Sequence, residues 1–256
     1  MKKEKPKRNR TLRKVILIIL ALVFLLCGFV FARSLLTTRG AIHTADEYRA
    51  MFPDTVISVS KDGSVEITPA NLSDRLEIGI VFYVGAEINP DAYIPLLARL
   101  AEQGYYCSIP KLTCNMAAMK PGAAEDVFQA HPEITSWYLA GHSMGGYTAS
   151  GFAEDHFDEV DGLILLAAYT SRDFSTTDIP MLSIYGDTDS VLNMEHYIKC
   201  YSMNSSDFEE HIIAGGNHAQ FGDYGKQPHD TEATISADSQ QAQTAEIIID
   251  WLARHE

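Results

Sequence analysis

The sequence predicts an α/β protein: a mainly parallel, doubly wound sheet with helices on both faces, preceded by one N-terminal transmembrane helix. Three observations predict it. Short β-rich runs alternate with helical runs of 8 to 13 residues, a spacing that implies right-handed crossovers between parallel strands. An uncharged apolar run of 18 residues stands ahead of them, directly behind a basic block. With 46% hydrophobic and 21% charged residues in a chain of 256, the composition suits one well-buried domain and argues against disorder.

The apolar run covers residues 15–32, VILIILALVFLLCGFVFA. As a helix it spans about 27 Å at roughly 1.5 Å per residue, close to the hydrocarbon core of a bilayer. Residues 1–14 carry eight Lys or Arg against one Glu, and only Arg33 and Arg39 follow nearby. The positive-inside tendency therefore keeps the short tail in the cytoplasm and residues 33–256 outside. A single-pass signal anchor is the first reading, because the run exceeds the usual length of a cleavable signal. Cleavage after Ala32 is the second. A lipoprotein fits less well, since Leu26 precedes Cys27, and a soluble core helix is disfavoured by an apolar surface all round.

Net charge is −14 for the chain and +7 for residues 1–14, so the remainder sums to −21. A body so acidic repels a phosphate backbone, which excludes nucleic acid as a partner. Outside the apolar run stand Cys107, Cys114 and Cys200, with neither a disulfide framework nor zinc spacing. Pairing of Cys107 with Cys114 stays open. His43, His131, His156, His196, His211, His229 and His255 show no metal-ligand spacing, so no metal is expected.

After the apolar run, residues 33–54 read as a linker passing into a short helix over 46–52. Residues 56–68 have apolar positions on both sides of Asp62-Gly63, a hairpin signal, and this hairpin is expected antiparallel at one edge of the sheet. Strands are predicted over 78–84, 105–109, 137–140, 163–167, 181–185 and 211–213. Helices are predicted over 91–103, 123–130, 145–155, 194–201 and 245–253. The stretch 215–241 is poor in apolar residues and reads as a surface loop.

The strand at 137–140 runs into Gly141-His142-Ser143-Met144-Gly145-Gly146, and a helix follows. This is G-x-S-x-G at a strand-to-helix turn, a nucleophile elbow. Such a turn requires unusual backbone angles at the serine and small neighbours, so that strand and helix approach closely. The strand at 181–185 ends in Gly186-Asp187-Thr188-Asp189, and the strand at 211–213 ends near Gly215-Gly216-Asn217-His218. A serine, an acid and a histidine thus arrive in that order, each after its own strand, and parallel strand ends share one edge. Serine is a feeble nucleophile until an imidazole removes its proton, and a carboxylate fixes the tautomer of that imidazole. Ser143 and His218 fill two of these roles, and Asp187 or Asp189 the third. His142 reads as a side chain filling the elbow. Tyr83, Glu87 and Tyr147 are candidate pocket residues, with packing or surface roles as the alternative.

With these residues the sequence resembles the α/β-hydrolase superfamily, in its small, cap-poor carboxylesterase and dienelactone-hydrolase-like branch. The resemblance runs from about residue 77 to the end of the chain and includes GGNHAQFGDYG at 215–225. It implies an acid three residues after the glycine of its turn, which is Asp189. It also implies an oxyanion hole built from the backbone N–H of Met144 and from the Tyr83-Val84-Gly85-Ala86-Glu87 loop, at Ala86. Relatives often have His-Gly there, so Val84 departs from the pattern. Ser143 departs from dienelactone hydrolases proper, which use Cys, and excludes haloalkane dehalogenase chemistry, which uses Asp.

The implied organisation is a basic cytoplasmic tail over 1–14, a transmembrane signal anchor over 15–32, a linker over 33–54 and an α/β-hydrolase domain over 55–256. The expected activity is that of a membrane-anchored extracytoplasmic serine hydrolase. It would cleave an ester or related acyl bond of a small-molecule acyl substrate through an acyl-serine, with no cofactor. Acyl transfer at the cell surface by the same triad, and a non-catalytic binding role on a hydrolase scaffold, are the alternatives. Few residues separate the strands at 163–167 and 181–185, too few for a large lid, so an open pocket is expected.

Overall fold

The computed structural model describes residues 10–255; the first nine residues, which make up most of the basic tail, and Glu256 lie outside the described residues. The chain divides into two units, Met1–Thr38 and Arg39–Glu256.

In the first unit, helix α1 spans Arg10–Thr37 and contains the whole of 15–32. Its window Leu12–Phe29 has a mean hydropathy of 2.5 and none of it is buried. Leu17, Phe24 and Leu25 all stand exposed. Apolar side chains on every side leave no polar face to turn toward water. This is one helix long and apolar enough to cross a membrane, by length and composition.

The second unit is built on one eight-stranded sheet in the order β1-β2-β4-β3-β5-β6-β7-β8. The strands are β1 Thr55–Val59, β2 Val65–Pro69, β3 Ile78–Tyr83, β4 Tyr106–Ile109, β5 Ser136–His142, β6 Gly162–Leu166, β7 Met181–Gly186 and β8 Phe208–Ile213. The β1–β2 hairpin turns at Asp62-Gly63, where Gly63 takes φ +87° and the Asp62 carboxylate accepts from the Ser64 N–H. It pairs antiparallel with β4 and forms one edge, while β4, β3, β5, β6, β7 and β8 run parallel. Nearly every residue of β3, β4, β5, β6 and β7 is buried, as strands covered on both faces must be.

The helices are α2 Ala45–Met51, α3 Ile94–Ala101, α4 Ala123–Ala130, α5 Met144–Asp155, α6 Met194–Cys200 and α7 Ala237–Leu252. One group packs α2, α3 and α7 together, and α4 meets α5 through Phe128 and Phe152. This is the doubly wound arrangement expected, with the strand ends that carry the motifs on one edge.

Three stretches differ from the sequence reading. Within 33–54, α1 continues to Thr37 and the second unit begins at Arg39, so the stretch is not simply a linker. The short helix expected over 46–52 is present as α2: a capping box between Thr44 and Glu47 starts it, and it buries Tyr48 completely. Helix α7 starts at Ala237, eight residues before position 245, because Ser236 caps it and its first turns bury polar Gln240 and Gln241. Apolar periodicity does not register such turns. The stretch 215–241 is likewise no mere surface loop: Asn217, His218, Phe221 and Tyr224 are buried within it. No disulfide joins Cys107 to Cys114.

Candidate active site

The elbow forms where β5 runs directly into α5. Ser143 takes φ +54° and ψ −122°, a region that costs a non-glycine residue on the order of 1–3 kcal/mol. Its N–H donates to the Leu166 carbonyl of β6 at 2.9 Å, which helps to hold the turn. A β-carbon on Gly145 would collide with the Tyr83 carbonyl, so glycine is what lets α5 come down onto β3. The result is a serine raised at the sheet's edge at the start of a helix.

At the end of β7, Asp189 is tied on both oxygens. Its Oδ1 accepts from the N–H groups of Val191 and Leu192, each at 2.8 Å, and its Oδ2 lies 2.8 Å from His218 Nδ1. The two side chains are only 1% and 2% exposed, so water competes little for this contact. Asp187 does something else. It is exposed, and its Oδ1 accepts the Gly215 N–H at 2.7 Å, tying the β7 turn to the β8 turn. Of the two aspartates, the structure brings Asp189 to His218.

The histidine loop is held from behind by residues that sequence reasoning missed. The Gln240 side chain accepts from the Asn217 N–H at 3.0 Å and donates to the Asn217 carbonyl at 2.8 Å, clamping the residue before His218. Asp230 accepts from the Ala219 N–H at 2.9 Å, on the other side. Gln240 and Asp230 belong to no motif and stand 12 or more residues beyond the histidine, so only the fold brings them to it.

A cavity of about 290 Å³ opens over these elements, and Ser143, Met144 and His218 all line it. Its remaining wall is Tyr147, Ala167, Ala168, Tyr169, Val191, Leu192 and Asn193, with no Lys, Arg, Asp or Glu. Of the other sequence candidates, Tyr147 reaches this wall. Tyr83 instead donates to the Pro121 carbonyl at 2.6 Å and is a packing residue, and Glu87 sits at φ +59° in the loop after β3. In that loop the Gly85 N–H donates to Tyr93 and the Glu87 N–H to the Asn115 carbonyl. Among the described residues, the N–H groups of Met144 and Ala86 have no protein acceptor. Met144 borders the cavity and Ala86 does not. His142 is buried against Tyr93, Phe221 and His218, its ring centroid 4.6 Å from that of His218. Burial, and then the neighbouring His218, hold its pKa well below the ordinary histidine value, so it is neutral.

An open, mainly parallel sheet with this elbow and an aspartate–histidine pair at one edge defines a class, the hydrolases of the α/β type. The chain belongs to the alpha/beta hydrolase family, whose model matches residues 79–242. That span includes Ser143, Asp189, His218 and Gln240. No curated protein matches the chain. Among solved structures it is similar to a predicted CIB-like hydrolase from Thermoplasma acidophilum, at 14% identity and a TM-score of 0.56, over 77% of this chain and 98% of the other. At that identity the likeness concerns the fold. Solved structures of 981 chains match, and a fold so widely shared points to no single activity.

Proposed function

We propose that the protein is a membrane-anchored, extracytoplasmic serine hydrolase that cleaves an ester or related acyl bond through an acyl-Ser143 intermediate. The observation that carries this reading is the buried 2.8 Å contact between Asp189 Oδ2 and His218 Nδ1, on a histidine that shares a cavity with Ser143. A carboxylate accepts only, so Nδ1 carries the proton and Nε2 is left with its lone pair. Nε2 then takes the Ser143 Oγ proton as Oγ bonds to the substrate carbonyl carbon. Negative charge moves to the carbonyl oxygen, where the N–H groups of Met144 and Ala86 are the proposed donors. Asp189 stabilises the imidazolium, which protonates the leaving alcohol as the bond to it breaks. Water repeats the sequence on the acyl-serine and releases the acid.

The cavity wall supports a neutral, largely apolar acyl group, since no charged side chain meets it. For location, the support is the apolar run within helix α1, the eight basic residues ahead of that run and the positive-inside tendency.

Full-length protein in detergent, treated with a fluorophosphonate probe, is expected to be labelled at Ser143 and located there by peptide mass spectrometry. Ser143→Ala is expected to lose both label and ester hydrolysis. A folded wild type that takes no label and cleaves no short-chain ester would sink the reading. A C-terminal reporter active only outside the cytoplasm tests the orientation.

A further inference from the structure

We propose that Tyr93 and His142 are positioning residues for the oxyanion loop, forming a buried hydrogen-bonded relay that runs from the nucleophile elbow to Gly85 and fixes the direction of the Ala86 N–H. The catalytic part of this proposal rests on the serine hydrolase reading; the structural part does not.

The relay begins at the residue just before the nucleophile. His142 Nδ1 lies 2.8 Å from the Tyr93 hydroxyl, and that hydroxyl accepts the Gly85 N–H at 3.0 Å. The exposures of His142 and Tyr93 are 1% and 0%. Because Tyr93 Oη is the acceptor for Gly85, its own proton goes to His142 Nδ1, its one other partner. The neutral imidazole therefore carries its proton on Nε2, and Nε2 has no hydrogen-bond partner among the described residues.

The relay also determines the peptide that bears the proposed oxyanion donor. The Gly85 N–H is held by Tyr93, and the Gly85 carbonyl accepts from the Ile88 N–H at 3.2 Å. In a trans peptide the Ala86 N–H points opposite to the Gly85 carbonyl, so fixing Gly85 on both sides fixes the Ala86 N–H as well. No side chain fits at position 85: a β-carbon there would lie 2.9 Å from both His142 Nδ1 and Tyr93 Oη. Tyr93 is itself anchored. It closes the 3-10 turn Pro90–Tyr93, which the Asn89 side chain caps by accepting the Asp91 N–H at 2.9 Å. The elbow and the loop are thus set relative to one another by side-chain bonds that no motif records.

The test uses full-length protein in detergent and two readouts, one of them independent of activity. In Tyr93→Phe the Gly85 N–H loses its acceptor. Hydrogen exchange of peptides covering 83–90 should quicken by about tenfold, the scale of one lost hydrogen bond. Fluorophosphonate labelling of Ser143 and kcat should both fall about 10–100-fold, with KM held within about twofold, as when an oxyanion donor is misaimed. His142→Leu should behave like Tyr93→Phe, and His142→Asn, whose side-chain oxygen can still accept from Tyr93, should recover most of the loss. Unchanged exchange at 83–90 in Tyr93→Phe would overturn the relay. Faster exchange with unaltered labelling and kcat would overturn its positioning role. If the wild type takes no label at all, the serine hydrolase reading fails, and the exchange readout still decides whether the relay holds the loop.

Discussion

Two histidines lie at opposite edges of the same sheet, each beside a carboxylate, and the contrast between them shows what makes such a pair a candidate base. His131 stands between α4 and β5, at the edge away from the elbow. Its Nε2 lies 2.8 Å from the Tyr106 hydroxyl and its Nδ1 lies 3.2 Å from Glu133. Arg75 pairs with the same Glu133 at 2.9 Å and sits over the Tyr106 ring. Both imidazole nitrogens are occupied, the backbone is unstrained, and the cluster ties β4 to the start of β5. His218 has one nitrogen committed to Asp189 and lines a cavity with a strained serine. A histidine–carboxylate contact is common to both. Of the two, only His218 also lines a cavity together with Ser143.

The largest expected effect breaks this contrast at its acid. Asp189→Asn keeps the shape but no longer selects the Nδ1–H tautomer, and kcat for ester hydrolysis is expected to fall about 10⁴-fold. The matching change at the other edge, Glu133→Gln, is expected to leave kcat within about threefold, since exposed pairs contribute little. Steady-state kinetics on one short-chain ester checks both. Equal losses in the two variants would erase the distinction.

A third histidine sharpens it. His142 is kept neutral by burial, with His218 as the second cause, and its ordinary pKa is 6.5. Below about pH 6.5 the unfolded chain binds a proton at this position that the folded chain refuses. Stability is therefore fully present above that pH and declines as the pH falls, by up to about 1.4 kcal/mol per unit. Urea unfolding at pH 7.5 and 5.0 measures the decline. His142→Asn is expected to flatten it by up to one proton, and an unaltered slope would mean that His142 is charged in the folded state. His131→Leu, by contrast, removes the imidazole bonded to the Tyr106 hydroxyl and should cost about 1–2 kcal/mol of stability, with kcat little changed.

The same contrast explains what could be read from the sequence. The strands, the hairpin turn and the turns that carry Ser143, the Asp187/Asp189 pair and His218 were legible because each is a local pattern, a glycine-bounded turn after an apolar run. The preference for Asp189 over Asp187 came only with the resemblance to α/β-hydrolases. The supports were not legible. Gln240 meets Asn217 and Tyr93 meets His142 only because the sheet closes distances of 23 and 49 residues. The start of α7 escaped notice for a related reason, since its first turns bury glutamines in place of an apolar stripe. Burial of polar groups with partners distant in sequence leaves no periodic trace.

The smallest effect separates two aspartates in one turn. Asp187 and Asp189 are two positions apart with the same side chain, yet one is exposed and accepts a single N–H from Gly215, while the other is buried against His218. Asp187→Ala removes one solvent-accessible hydrogen bond between the β7 and β8 turns, and about 0.5–1 kcal/mol of stability is expected to go with it. Because Gly215 stands three residues before His218, a slight loosening of the histidine loop should lower kcat by no more than about threefold. Thermal unfolding and ester kinetics on Asp187→Ala and Asp189→Asn, run side by side, measure the difference. If Asp187→Ala cost as much activity as Asp189→Asn, the acid would have to be reassigned, and the 2.8 Å contact at His218 would be a support and not the partner of the base.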